Sequence, residues 1–213
     1  MTRKSSLLIA LLALAAHCLS GSAWAATLNI ATDVSKSNPL LMHDYYADRA
    51  AAYIQRAVLD LKDGDTIIIG SLGDPSDPSN VLSASLPLSR RFKAIDALPQ
   101  VTGYLANILR DAEDGQSSTH LIRWLETGSN YGCKDGGTII LLTDGLEASS
   151  RTDPHKLLSG EIDLPDPKID LTGCSLVFFG LGWGLQDAHQ DRLHDQWASW
   201  TQKAGATFVA VER

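Results

Sequence analysis

Cysteine is scarce in this chain. Of three in 213 residues, Cys18 falls inside an apolar leader, and only Cys133 and Cys174 remain beyond it. Neither has a second Cys or a His at ligand spacing, which argues against a zinc site. Basic charge is also in short supply. Beyond the leader, 16 Lys and Arg stand against 25 Asp and Glu, a net charge of −9. That balance argues against nucleic acid or an anionic membrane surface as partner. No apolar run after the leader is long enough to cross a membrane. The sequence contains no G-x-x-x-x-G-K-[ST] phosphate loop and no G-x-S-x-G nucleophile turn. It has no internal repeat and no low-complexity tract.

The leader itself is short. Arg3 and Lys4 are followed by LLIALLALAA, and Ala23 and Ala25 are the small residues that a signal peptidase reads. His17 before Cys18 does not fit a lipoprotein signal. The expectation is a cleaved signal over residues 1–25 and one exported domain over 26–213, periplasmic or secreted, with no membrane insertion after cleavage. In such a compartment the even pair Cys133 and Cys174 reads as a disulfide.

The mature region alternates strand-like and helix-like segments. LNIATD, TIIIGSLG, GGTIILLTDG, CSLVFFGLG and TFVAV are apolar runs of strand length. Between them, YYADRAAAYIQRAVLDL places Tyr46, Ala50, Ile54 and Val58 on one helical face. Helical patterns also cover 94–112, 118–126 and 187–204, with a short helix near Pro154–Leu158. DPSDPSN reads as a turn, and VLSASLPLS, carrying Pro87, as an edge strand. Uninterrupted Ile, Leu, Val and Phe runs indicate strands buried on both faces. The fold class expected is α/β: a doubly wound, mostly parallel six-stranded sheet with helices on both faces and one antiparallel edge strand. In such folds a ligand binds beyond the carboxyl ends of the strands, where strand order reverses.

Two strands end in acids there, the first at Asp33 and the fourth at Asp144. ATDVSKSN places Asp33, Ser35 and Ser37 at alternate positions, able to converge on one point. The loop GQSSTHLIRWL supplies Thr119 or Ser117 as a further hydroxyl. Carboxylates and hydroxyls are hard ligands that suit magnesium, manganese or calcium. Two acids and three hydroxyls leave coordination positions open, for water or for an acidic side chain from another protein.

These motifs resemble the von Willebrand factor A domain with its metal-ion-dependent adhesion site. Its D-x-S-x-S is Asp33, Ser35 and Ser37, and its T-D-G is Thr143, Asp144 and Gly145. THLIRWL resembles the family's T-D-L-x-x-A-L from Thr119 to Leu125, with His120 and Trp124 departing from it. The resemblance implies that Asp33, Ser35, Ser37, Thr119 and Asp144 hold a divalent metal. It also implies binding, not catalysis, with a protein partner presenting an acidic residue to the metal. It makes strands four and five neighbours, so that Cys133 and Cys174 lie at the end of the sheet opposite the metal.

Other residues carry weaker expectations. Trp183 follows a strand and is either a partner contact or a packing residue. Glu147 is a rim contact or a solvated loop acid. Asp187, Asp191, His194 and Asp195 form a solvated helical face. The runner-up function is a metal-dependent phosphohydrolase of haloacid-dehalogenase-like type, but Ser35 stands where that family wants a second acid. A third reading is a structural part of an envelope or secretion assembly.

Overall fold

The computed structural model describes residues 25–73, 83–111, 116–128 and 131–211. The expected leader, apart from Ala25, and the expected turn at 74–80 lie outside the described residues. Strands are β1 (Thr27–Asp33), β2 (Thr66–Leu72), β3 (Ser83–Pro87), β4 (Thr138–Leu142), β5 (Ser175–Phe179) and β6 (Thr207–Val211). Helices are α1 (Pro39–Met42), α2 (Asp44–Leu59), α3 (Ala94–Asp111), α4 (Leu121–Thr127), α5 (Pro154–Ser159) and α6 (Asp187–Lys203).

The strands form one sheet in the order β3-β2-β1-β4-β5-β6. All neighbours run parallel except β2 and β3, so the single antiparallel strand is an edge, where Pro87 costs no internal ladder bond. The order reverses between β1 and β4, which pair in register Thr32 with Leu142. That reversal is the crevice-forming point of a doubly wound sheet, and the architecture is Rossmann-like.

Both faces of the sheet are buried because the strands carry apolar residues at consecutive positions. Ile30, Ile67, Ile69, Ile140, Leu142 and Phe179 pack with Tyr46, Ala50, Ile54 and Val58 of α2 and Val101 of α3. On the opposite face, Ile139, Leu141, Leu176 and Phe178 pack with Leu121 and Leu125 of α4, Leu157 of α5, and Leu193, Trp197 and Trp200 of α6. Leu193, Trp197, Trp200 and Ala204 follow one another at helical spacing, and all four are buried.

One helix start departs from the periodicity. The pattern over 118–126 begins as helix only at Leu121, because Thr119 pairs with Ala148 as an isolated bridge and His120 has non-helical dihedrals. The short helix expected near Pro154–Leu158 is α5, which Asp153 caps by accepting from the His155 and Lys156 N–H groups.

Cys133 and Cys174 are joined, with their Cα atoms 4.4 Å apart. Cys133 opens a 3-10 turn before β4, and Cys174 immediately precedes β5. Thr138 pairs with Ser175, so the bond lies at the amino ends of these strands. Gly173, at φ +92°, lets the two segments approach: a Cβ there would meet the Cys133 carbonyl oxygen at 2.3 Å.

Candidate functional site

At the carboxyl ends of β1 and β4 the two strands deliver their acids to one place. One residue beyond the pair Thr32–Leu142, the Thr143 hydroxyl donates to Asp33 Oδ2 at 2.6 Å. The other oxygen, Oδ1, accepts from the Ser35 N–H at 2.8 Å. Asp33 is fully buried, and Asp144 is 2% exposed. Burial pushes the Asp33 carboxyl up to about 7, and the neighbouring Asp144 charge adds to this; bonds from Thr143 and Ser35 oppose it. Burial also raises Asp144, against hydrogen bonds from the Ser37 side chain and the Leu146 N–H. The Leu146 N–H lies 2.9 Å from Asp144 Oδ1.

The chain turns back after β1 so that both serines face this pair. Ser35 and Ser37 hydroxyls lie 3.2 Å apart, Ser35 buried and Ser37 exposed. Asn38 holds the turn. Its side-chain amide donates to the carbonyls of Asp33 and Leu142, bridging β1 and β4, while its Oδ1 accepts from Leu40 N and caps α1. Asn38 is wholly buried. An N-P dipeptide before a helix signals a cap, but nothing in the sequence signals the bridge to β4.

The third loop is pinned from both sides. Gln116 pairs with the Ser35 segment: its N–H donates to the Val34 carbonyl at 2.8 Å, and the Lys36 N–H donates to its carbonyl at 3.0 Å. Thr119 exchanges both backbone bonds with Ala148, at 3.0 and 2.9 Å, in the loop that follows Asp144. Thr119 is buried and Ser117 exposed. All three motif segments therefore meet at the β1–β4 reversal.

Gly145 shapes the last of them. At φ +80°, a Cβ there would meet Leu181 Cδ1 at 2.2 Å. Its carbonyl accepts from Trp197 Nε1 at 2.8 Å, which ties the loop after Asp144 to α6. The Gly182 N–H donates to the Asp144 carbonyl at 2.8 Å.

Glu147 corrects the expectation of a rim contact or solvated loop acid. It is 2% exposed, and its Oε2 accepts from Ile122 N at 3.1 Å, where orphan N–H groups open α4. Burial raises its carboxyl, while bonds from the Ile122 and Leu121 backbone and the Ser149 side chain oppose that rise. Trp183 packs, its ring 4.9 Å from Tyr46 and 6.2 Å from His43, and stays half-buried despite its glycine neighbours.

Among the described residues no group of three or more His, Cys, Asp or Glu is placed to hold a metal ion. What converges is a mixed set of two carboxylates and several hydroxyls. No protein-family model matches the chain, and no curated protein matches it.

Proposed function

We propose that this chain is an exported adhesion module of von Willebrand factor A type. It binds a partner protein through a divalent cation, magnesium in the first place, with manganese or calcium as substitutes. Asp33, Ser35, Ser37, Thr119 and Asp144 would hold the ion. The carrying observation is the pair of buried carboxylates at the β1–β4 reversal, with raised affinity for protons and with hydroxyls as their neighbours. Among the described residues, only neutral donors offset Asp33: the Thr143 hydroxyl and Ser35. Two negative charges so placed are costly without a cation. The donors are all hard oxygen, which fits magnesium and not a thiolate-seeking metal.

Each residue has a task. Ser35 N–H and Thr143 fix both oxygens of Asp33, so the carboxylate is oriented before anything binds. Asn38 locks β1 to β4, so the two acids hold one separation. When bound, the ion supplies an electrophilic centre with open positions for a carboxylate of the partner. Export to the periplasm, or beyond it, is consistent with the disulfide; among the described residues no helix is long and apolar enough to cross a membrane.

Titration calorimetry with magnesium tests this. Wild type should give saturable heat and Asp33→Ala none; equal heats for the two would sink the site. Chelator should abolish partner capture. Turnover of a generic phosphate ester with magnesium would move the reading to the hydrolase class.

A further inference from the structure

We infer that Asp65 is a receptor for the α-ammonium group that hydrolysis of the Ala25–Ala26 bond leaves at the start of β1. The inference rests on the export reading and not on the metal. Its geometry lies at the amino ends of the strands. Ala26 N–H donates to Asp65 Oδ1 at 2.8 Å, and the Ala26 carbonyl accepts from Thr66 N at 3.0 Å. The second carboxylate oxygen accepts from Lys62 N at 2.8 Å. Asp65 is thus oriented by backbone on both oxygens. Its own carbonyl accepts from Leu88 N at 2.7 Å, so it sits where β1, β2 and the end of β3 meet.

Asp65 is only 8% exposed, and among the described residues no Lys, Arg or His side chain pairs with it. A buried carboxylate facing a neutral amide lacks a counter-charge. Cleavage supplies one at the atom already in place. Water adds across the amide: Ala25 leaves as a carboxylate, and the Ala26 nitrogen gains protons to become an ammonium. The same 2.8 Å contact is then an ion pair as well as a hydrogen bond. Ala25, the last residue of the expected leader, is exposed at this point.

The surroundings favour the charge. Ala26 lines a cleft of about 540 Å³ with Asp60 after α2, Lys62 and Asp63 in the turn, and Asp65 before β2. Gly136, before β4, and Thr138, at its start, face it and bring no charge. Three carboxylates against one lysine hold an ammonium in its protonated form. The folded amine therefore titrates above the usual α-amino range, and its stabilisation is complete below about pH 8 and lost as pH rises through the raised value.

The test uses the chain prepared with a free Ala26 amine, its Asp65→Asn variant, and the protein recovered from the periplasm after expression with its leader. The rate of α-amine labelling by an acetylating reagent is followed against pH. Wild type should label about threefold more slowly than Asp65→Asn at pH 7; equal rates overturn the ion pair. Should Asp65→Asn not fold, the wild-type midpoint is compared with the same amine in urea. A folded midpoint at or below the unfolded one overturns it equally. The mass of the periplasmic protein should place its first residue at Ala26. Any other start overturns the cleavage assignment while leaving the labelling result to report on Asp65 alone.

Discussion

At the amino ends of β4 and β5 a covalent bond joins Cys133 to Cys174, and Asp65 draws together the starts of β1 and β2. At the carboxyl ends of β1 and β4, two buried carboxylates come together among hydroxyls. The first end is held by a covalent bond and by backbone N–H groups that fix both oxygens of Asp65. The second is rigidly made yet electrostatically incomplete, because every donor around Asp33 is neutral. One sheet therefore separates a stabilising end from the end proposed to bind metal by the length of its strands.

The largest expected break in this comparison is at the closed end. Removing the disulfide with paired Cys133→Ser and Cys174→Ser changes should cost about 4 kcal/mol, because it joins cysteines 41 positions apart. Metal affinity should stay within twofold. Thermal melts and magnesium titrations on the same samples check both halves. A parallel loss of metal affinity would show that the two ends are not independent.

The next effect belongs to Asp33. Its folded carboxyl titrates at about 7, against 3.8 when unfolded. The native state holds that proton more tightly, so this group's stabilisation is complete below about pH 4 and is lost as pH rises to about 7. Metal-free protein should lose about 2 to 3 kcal/mol between pH 5 and pH 7.5 from this group alone. Asp144 and Glu147, also raised by burial, act in the same direction. Asp33→Asn should flatten the slope, because an amide keeps the Ser35 and Thr143 contacts without the charge. Magnesium should restore wild type at pH 7.5 and not the variant. Urea melts in chelator at the two pH values decide it; identical slopes for the two proteins would remove Asp33 as the source.

Much of this arrangement was legible in the sequence, and the parts that were not share a physical reason. TIIIG, TIILL and SLVFF are continuous apolar runs, so their burial on both faces follows from composition. Asp33 and Asp144 each follow a strand-length segment, which places them at the carboxyl end of a parallel sheet. Thr143 is adjacent to Asp144, yet its partner is Asp33, 110 positions away. Asn38 resembles any turn residue before a proline until its amide is seen to reach Leu142. Glu147, followed by Ala and two Ser, has the local character of a solvated loop. Only the return of that loop against α4 buries it. Local pattern carries secondary structure and the placement of Asp33 and Asp144 at strand ends. The residues that orient those side chains act across chain distances that no local pattern records.

Glu147 gives the smallest and sharpest test, because it lies at the same end as the proposed metal site but outside its ligand set. Its carboxylate accepts at the start of α4, and the next residue, Ala148, carries the bridge that holds Thr119. Glu147→Gln keeps one acceptor oxygen and removes the charge. Loss of the charge from a helix start costs about 0.3–1 kcal/mol. Relief of a desolvated carboxylate offsets part of that, so stability should change by less than about 1 kcal/mol. If the capping contact positions Thr119, magnesium affinity should fall severalfold while the melting temperature barely moves. Thr119→Ser, which keeps the hydroxyl and the backbone bridge, should stay near wild type. Calorimetry on the two variants separates positioning from ligation. An unchanged affinity in Glu147→Gln would confine the role of Glu147 to capping α4 and leave Thr119 held by its backbone pairing alone.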